Sequence, residues 1–167
     1  MQVEIRRART SDVKAIRALI DTYTADRRLL SKATVTLYEQ VQDFWVAVRT
    51  DDGTVVGCGA LHVMWEDLAE IRTVAVDPAC RGLKIGHRIV SELLAVAREL
   101  GVARVFCLTF ETRFFRSFGF TEIDGAPVPH GVYEQLLRSY DEGVAEFLDL
   151  ERVKPNTLGN TRMLLHL

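Results

Sequence analysis

The chain has 167 residues, of which 48% are hydrophobic and 26% charged, and its formal net charge is −2. The length suits one domain with a buried core, and the near-neutral charge excludes a strongly basic surface for nucleic acid or anionic membranes. No apolar run reaches the length of a membrane span, and the polar start MQVEIRRART is unlike a signal peptide. We therefore expect a single cytoplasmic domain over residues 1–167.

Hydrophobic periodicity and turn residues predict the elements of the first half of the chain. They are a strand at 3–5, helices at 13–23 and 34–42, and strands at 44–48 and 55–63. The turn Asp51-Asp52-Gly53 joins the last two strands. A strand at 70–76 then leads through a loop into a long amphipathic helix that ends at residue 100, before Gly101.

The second half continues to alternate strands with short helices. The pattern predicts strands at 105–108 and 120–123, helices at 112–118 and 131–139, and two further strands at 145–150 and 162–167. This order predicts an α/β (α+β) fold, with a mixed central sheet flanked by helices.

The segment at 70–86, EIRTVAVDPACRGLKIG, joins a strand, a Pro turn and a basic loop to the long helix. Backbone N–H groups at a helix N-terminus attract anions. Gly82 and Gly86 let a ligand approach the backbone, and Arg81 and Lys84 add positive charge. This chemistry favours a diphosphate site, although a Gly-containing loop alone is equally typical of an ordinary strand–helix connection.

This segment resembles the acyl-CoA-binding motif of the GNAT N-acetyltransferases, Arg/Gln-x-x-Gly-x-Gly/Ala. Arg81 and Gly86 match the motif, and Lys84 stands where its middle glycine is usual. The segment FFRSFGF at 114–120 is similar to the family's helix–strand junction. The resemblance implies the GNAT acyltransferase fold over the full chain, with acetyl-CoA as cosubstrate. The implied cofactor contacts are Val74, Ala75, Val76, Arg81, Gly82, Leu83, Lys84, Ile85, Gly86 and His87.

A narrower resemblance is to the acetyltransferase domain of N-acetylglutamate synthases, in their short stand-alone form. The matching segments are LAEIRTVAVDPACRG, VFCLTFETRFF and LLSKATVTLYEQVQDFWV. This resemblance implies direct acetyl transfer, in a ternary complex, to the α-amino group of L-glutamate, the first step of arginine biosynthesis. The sequence does not distinguish L-glutamate from L-glutamine as the acceptor. The resemblance further implies a homodimer and L-arginine as an inhibitor.

The proposed chemistry needs a base, because an α-ammonium with a pKa of about 8 is mostly protonated at neutral pH. The resemblance implies that Glu70 is this base, although a solvent-facing Glu at a strand end is the alternative interpretation. Strand alternation places Glu70, Arg72 and Val74 on one face. In the family fold this strand splays from its neighbour, and the Val74 N–H would stabilise the oxyanion.

The general acid is where this chain departs from the family pattern. Many GNAT enzymes use a Tyr in the junction helix to protonate the leaving thiolate, and this chain has Phe115 there. The residues that could act by type are Thr109, Thr112, Tyr133 and Tyr140. Solvent is the remaining alternative, because a thiolate is a good leaving group.

A site that prefers glutamate needs cations for its two carboxylates. Arg72 is the first candidate because the strand places it beside Glu70. Lys32 and Arg28 lie in the segment that matches the acceptor-binding loop, and Arg113 lies beside the junction helix. For these three, an ordinary surface cation is an equally good interpretation.

No metal site is expected, because His62 has no second ligand at useful spacing and is interpreted as packed or solvent-facing. Three cysteines without ligand spacing indicate free thiols in a reducing compartment. Two other functions stay open from the sequence. One is a GNAT enzyme for another amine, such as another amino acid, a polyamine or a protein N-terminus. The other is a non-catalytic acyl-CoA or arginine sensor.

Overall fold

Seven runs of apolar and β-branched residues form one mixed sheet in the order β1-β2-β3-β4-β5-β7-β6. The computed structural model describes residues 1–24, 32–148 and 159–167. The strands are β1 Val3–Arg7, β2 Phe44–Arg49, β3 Val55–Trp65, β4 Leu68–Val76, β5 Arg104–Thr109, β6 Thr121–Glu122 and β7 Thr161–His166. The pair β4–β5 is parallel, whereas β1–β2, β2–β3, β5–β7 and β6–β7 are antiparallel. The predicted mixed sheet is therefore confirmed.

The helices follow the predicted order with one exception near the C-terminus. They are α1 Val13–Thr24, α2 Thr34–Glu39, α3 Ile85–Leu100, α4 Thr112–Arg116, α5 His130–Leu136 and α6 Glu142–Phe147. Short 3₁₀ turns at Thr10–Asp12, Val41–Asp43 and Pro78–Cys80 precede α1, β2 and the basic loop.

The chain divides into two compact units, and the first comprises residues 1–61 and 73–96. In this unit α1 buries one face through Val13, Ile16 and Ile20, which recur at helical spacing. Their cluster also contains Phe44 and Val46 of β2. A second face of the unit is formed by α3, which lies so close to β3 that a Cβ at Gly59 would be 2.8 Å from an Ile89 methyl carbon.

The second unit comprises residues 62–72 and 97–167. Its core contains Phe106 of β5 and Phe147 of α6, whose rings meet edge to face at 5.0 Å between centroids. Leu68 and Leu164 belong to the same buried cluster. Phe115 and Phe120 are buried and form a further edge-to-face pair in this unit.

The predicted strand at 145–150 is wrong, because α6 occupies this part of the chain and residues 149–150 lie outside the described residues. Val144, Phe147 and Leu148 are buried at a spacing of three and four residues, which is the spacing of a helix face. Asp141 is the N-cap, and its side chain accepts a hydrogen bond from the Val144 N–H. A short apolar run does not by itself distinguish a strand from a helix.

Candidate functional site

The basic loop between β4 and α3 has the backbone geometry of an anion-binding turn. Gly82 has a φ of 83° and Lys84 a φ of 58°, immediately before the first residue of α3. Left-handed residues at a helix N-terminus turn successive N–H groups toward one side, where they can bind a phosphate. The loop residues Arg81 to Lys84 are exposed, whereas Ile85 is buried and anchors the helix start. These residues fit the predicted coenzyme diphosphate.

The two positive φ values explain the residue pattern of the loop. A Cβ at Gly82 would meet nothing within 4 Å, so this glycine provides conformation rather than space. Lys84 adopts the same left-handed region, which costs an L-residue about 1 kcal/mol. Glycine is therefore the lower-energy residue at this position.

We expect Lys84→Gly to be more stable than Lys84→Ala, because only glycine removes the left-handed strain while both variants lose the charge. The difference in the free energy of unfolding should be about 1 kcal/mol, reduced by the larger chain entropy of glycine in the unfolded state. Urea titration of the two variants measures it. An alanine variant as stable as the glycine variant would contradict the strained conformation.

Strand β4 departs from extended backbone at Thr73, which is buried and has a φ of 58°. A β-branched residue in this region is an outlier that costs about 1–3 kcal/mol and persists only where its surroundings enforce it. Regular side-chain alternation therefore does not continue across Thr73. The expectation that Val74 shares the face of Glu70 and Arg72 consequently fails.

The ladder between β4 and β5 pairs residues 68–70 with residues 104–106 and ends at the pair Glu70–Phe106. Strand β4 continues beyond this pair to Val76, in keeping with the predicted splay. The Tyr23 hydroxyl of α1 donates to the Val76 carbonyl. One carbonyl in the stretch from Val74 to Val76, whose residues are predicted to contact the coenzyme, is thus already bound by a side chain. The role of the Val74 N–H stays a prediction.

Glu70 and Arg72 come together with an acidic residue that the sequence analysis did not identify. Glu70 is 3% exposed, and its Oε1 lies 3.6 Å from the Arg72 Nε. The Arg72 Nη1 donates to Asp141 Oδ1 at 2.6 Å, and Nη2 donates to Oδ2 at 3.0 Å. This forked pair is the strong form of an arginine–carboxylate contact. The interpretation of Glu70 as a solvent-facing strand residue is wrong, because its side chain is buried.

The charge of Asp141 is stabilised by this contact. Burial alone would raise the pKa of the Asp141 carboxyl, but hydrogen bonds and charge from Arg72 outweigh it, with smaller contributions from His62 and the Val144 N–H. The pKa of Asp141 therefore lies well below its usual range. This direction favours the charged form of Asp141 at neutral pH.

The first turn of α6 packs directly on the Glu70–Arg72 pair. A Cβ at Gly143 would lie 2.3 Å from the Arg72 Nη1 and 2.4 Å from the Glu70 Oε1. Gly143 is buried and provides the space in which the two side chains meet. Asp141 and Gly143 are the functional candidates that sequence reasoning missed. The available signal was an Asp three residues before Val144, a typical N-cap pattern.

His62 of β3 lies at the edge of this cluster. Its Nε2 is 3.8 Å from the Asp141 Oδ2, and its side chain is 23% exposed. No group of three or more His, Cys, Asp or Glu that could hold a metal ion occurs in the part of the chain that the structure describes.

The remaining predicted residues lie elsewhere in the structure. Arg113 is exposed at the start of α4. Lys32 belongs to the first unit, where its carbonyl accepts a hydrogen bond from the Arg17 guanidinium. Arg28 lies outside the described residues. Within the second unit, the structure places Arg72 beside Glu70, with the Arg72 Nε 3.6 Å from the Glu70 Oε1.

The candidates for the general acid differ in burial. Thr109 is 9% exposed, and its Oγ1 accepts a hydrogen bond from the Glu111 N–H. Tyr133 packs against the core of the second unit, whereas Tyr140 is 98% exposed. Thr112 begins α4 and is partly exposed. The contacts among the described residues do not single out one of these candidates, so the role stays unassigned.

All three cysteines are buried and form no disulfide. Burial raises the pKa of the Cys58 thiol to about 12. Burial, followed by the charge of Glu70, raises the pKa of Cys107 well above its usual value. Neither thiol is a nucleophile near neutral pH.

None of the helices within the described ranges has the length and hydropathy needed to cross a bilayer.

Two comparisons with proteins from Mycobacterium tuberculosis show similarity over nearly the whole length of both chains. An amino-acid acetyltransferase from Mycobacterium tuberculosis is 66% identical over 96% of this chain and 92% of its own. The crystal structure of Rv2747 from Mycobacterium tuberculosis in complex with CoA and NLQ has a TM-score of 0.95 and 65% identity, over 98% of this chain and 99% of that chain.

A more distant structure shows the same fold within a longer protein. N-acetylglutamate synthase from Neisseria gonorrhoeae, complexed with coenzyme A and N-acetyl-glutamate, has a TM-score of 0.77 and 23% identity, over 100% of this chain but 35% of that chain. The family model described as the acetyltransferase (GNAT) family matches residues 13–120. The predicted fold class is confirmed, and the chain belongs to the GNAT family of acetyltransferases.

Proposed function

We propose that this acetyltransferase transfers the acetyl group of acetyl-CoA to the α-amino group of an amino acid, with L-glutamate or L-glutamine as the acceptor. The observation that carries the proposal is the 66% identity to an amino-acid acetyltransferase over 96% of the chain. The buried pair of Glu70 and Arg72 supports it, because it joins a candidate base to a cation for the acceptor's carboxylate.

Acetyl-CoA is the cosubstrate of this family. We assign its diphosphate to the loop from Arg81 to Gly86, where the left-handed Gly82 and Lys84 precede the 16-residue helix α3. The backbone of Val74 to Val76 is assigned to the pantetheine arm, because β4 extends beyond its ladder with β5.

Glu70 is assigned as the general base. The acceptor's ammonium gives one proton to the carboxylate, and the free amine then attacks the thioester carbon. A C–N bond forms and the C–S bond breaks, so that CoA leaves as a thiolate. The second proton of the amine nitrogen is lost as the intermediate collapses, and it balances the thiolate charge directly or through water. Glu70 returns its own proton to solvent.

Arg72 is assigned as the cation that binds the acceptor's carboxylate. Its guanidinium already donates two hydrogen bonds to Asp141. A guanidinium has five N–H donors, and the fork with Asp141 uses two of them. Asp141 thereby orients Arg72 as well as neutralising it. Lys32, Arg113 and Arg28 stay predictions as further acceptor contacts.

An assay of CoA thiol release with a panel of amines tests this proposal. The panel contains glutamate, glutamine, γ-aminobutyrate, putrescine and a peptide with a free N-terminus. We expect turnover with glutamate or glutamine and little with γ-aminobutyrate, which lacks the α-carboxylate. Turnover only with the other amines would indicate a different acceptor. Coenzyme binding without turnover of any amine would indicate a sensor.

Three finer expectations stay predictions. They are the role in arginine biosynthesis with inhibition by L-arginine, the homodimer, and the cytoplasmic location. The acetyl donor and the transferase chemistry do not depend on any of them.

A further inference from the structure

We propose that Asp141 is a positioning residue, which holds the guanidinium of Arg72 away from Glu70 and so keeps Glu70 able to accept a proton. The inference rests on the proposed function, because it applies only if Glu70 is the general base. Asp141 is the N-cap residue of α6 and is distant in sequence from β4, the strand that contains Glu70 and Arg72.

The guanidinium of Arg72 contacts two carboxylates, those of Asp141 and Glu70, at different distances. Both terminal nitrogens of its guanidinium bind Asp141, at 2.6 Å and 3.0 Å. The Nε is 3.6 Å from the Glu70 Oε1, which is beyond a normal hydrogen bond. The forked contact therefore belongs to Asp141, and Glu70 has the looser contact.

The choice of carboxylate affects proton affinity, because a forked guanidinium contact stabilises a carboxylate in its charged form. A general base paired in that way would lose proton affinity and would accept a proton from the acceptor less readily. Asp141 prevents this by binding the fork itself. Its negative charge near Glu70 acts in the same direction, since a second anion favours protonation of the first.

Two further hydrogen bonds fix the position of Asp141 beside Arg72. Its Oδ1 also accepts from the Val144 N–H at 3.0 Å, and its own N–H donates to the Ser139 Oγ at 3.1 Å. Among the described residues, two neighbouring strands bring further titratable groups to the cluster: His62 of β3, whose Nε2 is 3.8 Å from the Asp141 Oδ2, and Cys107 of β5, whose thiol is affected by the charge of Glu70.

The variants Asp141→Asn and Asp141→Glu test the inference in the full chain. Asn is as good an N-cap as Asp, so the first variant keeps α6 while removing the charge. We expect Arg72 to turn its fork to Glu70 in Asp141→Asn. The acid limb of the pH profile of kcat/KM should then move to lower pH, and its plateau should fall by about tenfold or more.

Several readouts separate positioning from a structural role. The KM for acetyl-CoA should be unchanged, and Asp141→Glu should recover part of the plateau because it restores an anion. The titration of the acceptor's own amine is common to all variants, so it cancels in the comparison. An unshifted acid limb with a wild-type plateau in Asp141→Asn would overturn the inference.

The two proposals fail in different ways. If Glu70→Gln keeps wild-type activity, the base assignment fails and the positioning role fails with it. If Glu70→Gln is inactive while Asp141→Asn behaves like the wild type, only the positioning role fails.

Discussion

Glu70→Gln should lower kcat by about 10²–10⁴-fold, which is the usual contribution of a positioned general base. The amide fills the same buried space but cannot take a proton from the acceptor's ammonium. The KM for acetyl-CoA should change little, because the coenzyme is assigned to the loop before α3. Steady-state kinetics at several pH values measure both constants.

The remaining activity of Glu70→Gln should rise as the pH approaches the pKa of the acceptor amine, about 8 or higher, because the free amine then no longer needs a base. Glu122→Gln is the matched control, since it makes the same change on an exposed residue of β6 in the same unit. A wild-type kcat in Glu70→Gln at neutral pH would remove Glu70 from the mechanism.

Gly143→Ala should lower kcat by about 10²-fold although only one methyl group is added. The new Cβ would lie 2.3 Å from the Arg72 Nη1 and 2.4 Å from the Glu70 Oε1, so at least one of these side chains must move. A displacement of about 1 Å at a reacting group can have an effect of this size. A crystal structure of the variant would show which side chain gives way.

Gly131→Ala is the control for this substitution. Gly131 lies in α5 of the same unit, and a Cβ there would meet nothing within 4 Å. Alanine should stabilise α5 by about 0.5–1 kcal/mol and leave kcat unchanged. If Gly143→Ala also kept full activity, the tight packing of α6 on the Glu70–Arg72 pair would not be needed for turnover.

The sequence was a good guide wherever a local pattern determines the structure. The helix α3 and the strand before it follow from periodicity, and the loop between them contains the residues that an anion-binding turn requires. The need for a left-handed residue at Lys84 could not be derived, because the sequence there departs from the glycine of the motif. The strain at Thr73 has no sequence signal at all, since Thr is a favoured strand residue.

The acceptor side of the site was less accessible to sequence reasoning. Asp141 is separated from Arg72 by 69 positions, and no local pattern connects the two residues. Because residues 145–150 were interpreted as a strand, neither the N-cap Asp141 nor Gly143 was recognised as part of a helix. The place of His62 beside Asp141 depends on tertiary packing alone.

The burial of Cys58, Cys80 and Cys107 has a practical consequence for labelling this protein. Thiolates attack maleimides and chromogenic disulfides, and thiols enclosed in the core react with these reagents slowly. Such reagents should therefore detect the liberated coenzyme against a low protein background. A single cysteine introduced on an exposed residue would likewise provide a selective attachment point for a fluorophore or spin probe, without removal of the native three.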